Sequence, residues 1–383
     1  MELINQNINR FLPFGDSLRI ILQNTSYSPN DIKGFLKRKG VFIDGKDESI
    51  MIPLLTTTLV SPIEFDHIKE KIKTKEDKEK LFTRVFECNS TAPLISSLPE
   101  NFNIQEIIKE AFPRYKVIGN PNFVAQKASK DKNERIALEF KCESENYSKE
   151  WYRAKNDFKG EIALEKIVKN NELQLQITYT SQETKDVSEK VFKKLEKHFK
   201  KSKIIDENKE AKKITFSSFT NEERVEFLLS FTEGNDVFEF DKACSVDLGP
   251  GGNQLPNELS WLNIGGVRRL ALNGDILHEI PYLTNLELRP FIELSSVEIQ
   301  FKFKYHAAEG MCKALISFPD YFKRLKQNTE LEIYLHEIKP NNEYAAMPLG
   351  SITRYLNGEL ENLKSQLYSL IEVKQIAKQF AQN

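Results

Sequence analysis

Long apolar runs are missing from this chain. No stretch approaches the ~18 residues that a membrane-crossing helix needs, and the opening MELINQNINRF lacks the basic and apolar regions of a secretion signal. The expectation is a cytoplasmic protein. Cysteine is scarce: Cys88, Cys142, Cys244 and Cys312 lie far apart with no Cys-x-x-Cys spacing, which argues against a zinc knuckle or a disulfide framework. The five histidines form no His-x-His or HExxH pattern, so no dedicated metal cluster is expected. Cys312 follows His306 but has no evident paired base, and no Gly-x-Ser-x-Gly elbow occurs. The glycines of LGPGGNQLP, Gly249, Gly251 and Gly252 around Pro250, lack a following Gly-Lys-Ser/Thr. They read as a structural or partner-contacting turn, not a nucleotide loop.

An excess of charge of either sign is also absent, the formal net charge being −1. That total hides local asymmetry, because residues 184–203 are strongly basic and residues 221–241 acidic. At 40% hydrophobic and 29% charged over 383 residues, the composition is that of a globular chain with room for two or three domains.

Periodicity predicts an α+β fold: a helical N-terminal head, mixed α/β domains with largely antiparallel sheets, and a C-terminal amphipathic helix. The boundaries fall at 1–80, 81–205 and 206–383. In the head, Ser28 and Pro29 open a helix whose Ile32, Phe35 and Leu36 form one apolar face, and Gly40 ends it. A second short helix carries Ile50, Leu54 and Leu55, and Ser61-Pro62 with Glu64 start another. The alternating charges of 69–80 read as a solvated face. Beyond the head, TRVFEC, YKVIGNPNFVAQ and RIALEFKCE read as strands. A hairpin turning at Asn170-Asn171 puts Leu173, Leu175, Ile177 and Tyr179 on one face. A helix over about 186–201 buries Val187, Val191, Leu195 and Phe199, and a polar linker follows. KITFSSF reads as a strand, NEERVEFLLSF as a helix and VDLGPGGNQLPNE as a loop. Val297, Ile299, Phe301 and Phe303 alternate with polar residues. Leu356, Leu360, Leu363, Leu367 and Leu370 make a heptad-like stripe at the end.

The chemistry-bearing pattern lies in SPNDIKGFLKRKGVFIDGKDESIMIPLL, residues 28–55. Lys33, Lys37 and Arg38 point away from the apolar face, Lys39 sits in the last turn, and Gly45 and Lys46 precede the next helix. Lysines at a helix C-terminus complement the dipole and can simply face water. The same groups, with backbone N–H at the second helix start, would also hold a phosphate backbone. A further basic surface is carried by Lys193, Lys197 and Lys200, with Lys194 and Lys201, on the helix before the linker. That helix reads as a wet outer face, as a second DNA-backbone contact or as a dock for an acidic partner.

The spacing Ile32-Lys33, Leu36-Lys37, Gly40, Gly45-Lys46 and Leu54-Leu55 resembles the SAP-type helix–extension–helix DNA-binding motif. It departs from that motif at Asp44, Asp47, Glu48 and Pro53. NRFLPFGDSLRIIL, this motif and LVSPIEFDHI together also resemble the second subunit of a two-gene anti-phage cassette, the fourth of the Gamma-Mobile-Trio-associated systems. That resemblance covers roughly the first 70 residues. It implies a DNA-binding, non-catalytic subunit acting as a hetero-oligomer with a PD-(D/E)xK-type nuclease encoded nearby, the complex sensing invading DNA such as linear ends. No cofactor is then expected.

Two alternatives stay open. Glu139 and Lys141 of the strand RIALEFKCE match a Glu-x-Lys triplet, which would make the chain a Mg²⁺-dependent nuclease. Asn120 and Asn122 stand where a metal-binding Asp is wanted, and Asp131 lies in a polar loop. Otherwise the central part is an inactive relic of that fold, or the triplet is a coincidence of a strand with one wet face. The other alternative is a scaffold with no nucleic-acid role.

Overall fold

The computed structural model describes residues 12, 14–22, 29–45, 47–68, 79–88, 90–109, 111–113, 115–126, 133–145, 155–168, 171–251, 256–257, 259, 269–306, 308–319, 321–324, 328–344, 347 and 349–382. Among the described residues the head has four helices: α1 (Asp16–Leu22), α2 (Pro29–Arg38), α3 (Glu48–Thr56) and α4 over 62–68. Proline opens α2, where its missing N–H costs nothing. Gly40, at φ +79°, turns the chain out of the helix in the left-handed region that a side chain would disfavour. Asp47 caps α3 by accepting from the Ser49 N–H at 2.8 Å. In α4 the Ser61 hydroxyl accepts from Glu64 N–H while the Glu64 carboxylate accepts from Ser61 N–H, a reciprocal capping box.

Leu18, Leu22, Ile32, Phe35, Leu36, Met51, Ile52, Leu55, Phe65 and Ile68 form the head's own core. The second helix departs from the sequence reading here. Ile50 and Leu54 are exposed, and Met51 and Ile52 are buried beside Leu55. Almost every position of ESIMIPLLT is apolar, so the pattern alone does not choose which side faces in. Most of the charge run 69–80 lies outside the described residues.

The rest of the described chain is built on an eleven-stranded antiparallel sheet. Its strands are β1 (Lys80–Glu87), β2 (Tyr115–Val117), β3 (Val124–Gln126), β4 (Glu134–Glu145), β5 (Lys155–Ile167), β6 (Glu172–Tyr179), β7 (Phe238–Pro250), β8 (Leu270–Asn273), β9 (Ile292–Tyr305), β10 (Ala308–Ser317) and β11 (Glu332–Pro340). The order is β2-β4-β5-β6-β1-β11-β10-β9-β7-β8, with β3 pairing β4 at the side. Strand β1 joins the two halves, pairing along its length with β6 and at Lys80 and Leu81 with β11. The protein is thus α+β, with helices on both faces of the sheet.

One face carries α5 (Ile104–Lys109) and α6 (Gln182–Lys201). Leu173, Leu175, Ile177 and Tyr179 are buried there with Val187, Val191, Leu195 and Phe199, and Phe86 stacks on Phe192 with ring centroids 5.9 Å apart. Strand alternation sends the neighbouring Thr83 to the other face, where its hydroxyl donates to Glu361 on the terminal helix α10 (Leu349–Gln382). Helix α7 (Asn221–Ser230) and α10 cover the second core, on β7, β9, β10 and β11, including Val297, Ile299, Phe301 and Phe303. Two short helices also lie in this half, α8 (Pro281–Thr284) and α9 (Tyr321–Arg324).

Three elements differ from the sequence reading. KITFSSF contains a 3-10 turn over Phe216–Ser218 instead of a strand, because the Ser218 hydroxyl accepts from Thr215 N–H and buries Phe216. The first residues of the expected Gly/Pro loop, Val246 to Pro250, complete β7, with proline at the last strand position where a lost N–H is tolerated; Gly252 lies outside the described residues. YKVIGNPNFVAQ is two strands, broken where Gly119 adopts φ +74°. The polar linker after α6 is mostly exposed, yet Ile204 and Ile205 are buried and Ile205 and Lys212 bridge to Cys88 and Val85. That tethers it to β1.

Candidate nucleic-acid interface

Helix α2 points its last turn at the extension that follows. With Ile32, Phe35 and Leu36 fixed in the core, Lys37 and Arg38 project outward and are exposed. The Arg38 guanidinium lies over the Phe35 ring, 5.4 Å from its centroid, a cation–π contact on an exposed side chain. Lys33 reaches across to the turn and donates to the Gly45 carbonyl at 3.2 Å. Gly45 sits at φ +88°, a conformation glycine adopts without strain. The structure therefore brings Lys33 and Gly45 together. Lys46 lies outside the described residues.

Lys39 stands apart. Its ammonium is 2.7 Å from a Glu64 carboxylate oxygen, with both side chains about three-quarters buried. That hydrogen bond, with Ser61 N–H as a second donor, holds the Glu64 carboxyl down at about 2. The start of α3 is likewise engaged from within. Hydrogen bonds from the Ser49 side chain and then from Ser49 N–H hold the Asp47 carboxyl below the usual carboxylate range, and the Asp47 carbonyl accepts from Ile50 and Met51 N–H. Three backbone donors at the α3 start, Ser49, Ile50 and Met51 N–H, thus have partners within the chain.

On α6 the apolar ridge lies against the sheet, and Lys193 and Lys197 emerge exposed with Lys190 and Lys194. Lys200 is half-buried and pairs with Glu196 at 3.2 Å, one turn back. His198 Nε2 is 3.1 Å from the Ser97 carbonyl, a structural contact.

Glu139 and Lys141 project from the β4 face opposite α6 and are exposed. Glu139 Oε1 is 3.0 Å from Arg354 of α10. The β4–β5 register sets Glu161 directly across from Glu139, an acid the sequence reading missed because the pairing partner of β4 is not legible in either strand alone. Burial raises the Glu161 carboxyl, while Arg135, at 3.3 Å, and Arg354 partly offset this. Arginines thus hold both carboxylates, and no group of three or more His, Cys, Asp and Glu that could bind a metal occurs among the described residues. Cys142 and Cys312 are buried, and burial pushes both thiols up to about 12, far from nucleophilic. Among the described residues, no helix is long and apolar enough to cross a membrane.

No curated protein and no solved structure matches the chain. Residues 16–78, which hold the four head helices, match the family model for the GAPS4b protein N-terminal domain; GAPS4b is a protein of a Gamma-Mobile-Trio-associated system, and the match points to a component of an anti-phage defence system.

Proposed function

We propose that this chain is the DNA-binding, non-catalytic subunit of an anti-phage nuclease complex. The carrying observation is that the segment matching the GAPS4b N-terminal domain is the same segment whose α2 ends in exposed Lys37 and Arg38. In this reading the two side chains contact neighbouring phosphates, and Lys33 stiffens the turn that presents them by holding the Gly45 carbonyl. Such contacts fix position on the duplex without reading bases. Lys193 and Lys197 on α6 supply a second backbone surface, and the part of the chain after about residue 80 docks a nuclease partner encoded nearby.

The test is duplex affinity at two salt concentrations for the wild type and for Lys37→Glu with Arg38→Glu. Counterion release makes log K fall by about 0.9 per phosphate contact for each tenfold rise in salt. The double variant is expected to bind more weakly and to lose about two contacts' worth of slope. Equal affinity and equal slope would remove the head from DNA recognition.

A further inference from the structure

Helix α10 carries two stripes. Leu356, Leu360, Leu363 and Leu367 recur at steps of four and three and are buried in the chain's own core. Leu370 ends that run exposed, and Ile371 takes the next buried place. A second line, Asn362, Gln366, Ser369, Val373, Ile376 and Phe380, has steps of four, three, four, three and four. At 100° per residue it lies well over a quarter-turn away from the first. Such a line stays on one face of a helix wrapped by a second helix.

The two halves of this second line differ. Its N-terminal half borders an open cleft of about 440 Å³ between α10, the start of β6 and the loop 235–237. Asp236 and Glu359 contribute carboxylates to that cleft, and its lining contains no lysine or arginine among the described residues. Its C-terminal half is apolar and uncovered, with Val373 64% and Phe380 78% exposed. The helix is not loose there. Lys374 pairs with Glu226, Lys378 donates to Glu223 at 3.2 Å, and Gln375 donates to Glu223 at 2.9 Å, all on α7 and all from the opposite side. An apolar seam held rigid and running into an acidic cleft has a defined complement.

We infer that this face of α10 docks an amphipathic helix of a partner protein, with apolar residues at heptad spacing over Val373, Ile376 and Phe380 and lysine or arginine at the end reaching the cleft. The inference rests on the proposed role as a subunit and specifies the surface that role uses. Charge decides the occupant. A second copy of α10 would bring Lys374 and Lys378, both already held by α7, and α6 has its apolar ridge buried beneath its own sheet. No described helix of this chain offers an uncovered apolar face flanked by available cations.

The experiment uses the full chain and two synthetic helical peptides three heptads long, with identical leucine seams and either lysine or glutamate at the flanking positions. Fluorescence anisotropy is expected to show the lysine peptide binding at least about tenfold more tightly than the glutamate peptide. Val373→Gln with Phe380→Gln, which keeps helix propensity and removes only exposed apolar area, should abolish binding of both. Glu359→Lys should erase the preference while keeping the seam. Equal binding of the two peptides, or binding unchanged by the glutamine pair, overturns the inference. So does a wild-type dimer in sedimentation that the glutamine pair makes monomeric, since the occupant would then be a second copy. A nuclease subunit that co-purifies equally with the glutamine variant would sink this surface alone and leave the subunit role standing. Failure of any nuclease subunit to co-purify with wild type would instead strike the role.

Discussion

Lys39 Nζ and a Glu64 oxygen lie 2.7 Å apart, joining the end of α2 to the start of α4 inside the head. The pair removes one cation from the three adjacent basic positions Lys37, Arg38 and Lys39, so the basic end of that helix is smaller in three dimensions than in sequence. It also makes Glu64 serve two purposes, as cap and counter-ion.

Glu64→Gln separates those purposes. Glutamine can still accept from Ser61 N–H, so α4 keeps its cap, while Lys39 loses its ionic partner and becomes available to a phosphate. Duplex affinity is expected to rise, and the salt slope to steepen by up to about 0.9. Parallel titrations of wild type and variant at two salt concentrations measure both. An unchanged slope would mean that Lys39 does not face the nucleic acid even when released.

The same pair sets an acid limit on the head. Glu64 has a carboxyl pKa of about 2 when folded, against a reference value of 4.5. A depressed carboxylate contributes stability that is fully present above the unfolded value and is lost as pH falls through the folded one. Head stability from this group is therefore expected to be flat above about pH 4.5 and to decline toward about pH 2. Urea titrations followed through head amide chemical shifts should show a smaller acid loss for Glu64→Gln than for wild type across that window.

The α6 lysines make a separable prediction. Lys193→Glu with Lys197→Glu reverses charge at two exposed positions whose helix is fixed by Val191, Leu195 and Phe199 beneath. Folding should be unaffected, since surface substitutions of this kind usually stay within about 0.5 kcal/mol. Weaker DNA binding, additive with the loss from Lys37→Glu and Arg38→Glu, would show that both surfaces meet one duplex. Full retention would confine recognition to the head.

How much of this was legible depended on whether the deciding contact was local. The start of α2 at Pro29, its end before Gly40, the Ser61–Glu64 cap and the buried face of β6 each depend on residues a few positions apart, and the sequence reading placed them correctly. The Lys39–Glu64 pair spans 25 residues, and the Glu139–Arg354 pair spans 215. No periodicity reports such contacts. The apolar middle of α3 failed for another reason: with Ile50, Met51, Ile52, Leu54 and Leu55 all available, burial was chosen by packing against α1 and α2 instead of by pattern. The β7 segment was hidden because its acidic and Gly/Pro composition resembles a loop, whereas its pairing with β9 makes it a strand.

Glu139 supplies the last prediction, because it bears on whether the chain cuts DNA by itself. A two-carboxylate metal site needs both groups ionised and turned toward one ion. Here Glu139 and Glu161 face each other across β4 and β5, but Arg354 holds the first and Arg135 the second. Metal entry would have to displace two guanidinium partners, and burial already raises the Glu161 carboxyl. Purified chain incubated with linear DNA and Mg²⁺ is therefore expected to leave the DNA intact, with Glu139→Ala behaving identically. Arg354→Ala gives the sharper arm. If removing that arginine produced Mg²⁺-dependent cleavage that a further Glu139→Ala abolished, the sheet face would be a latent active site held shut by α10, and the assignment of catalysis to a partner would have to be reversed.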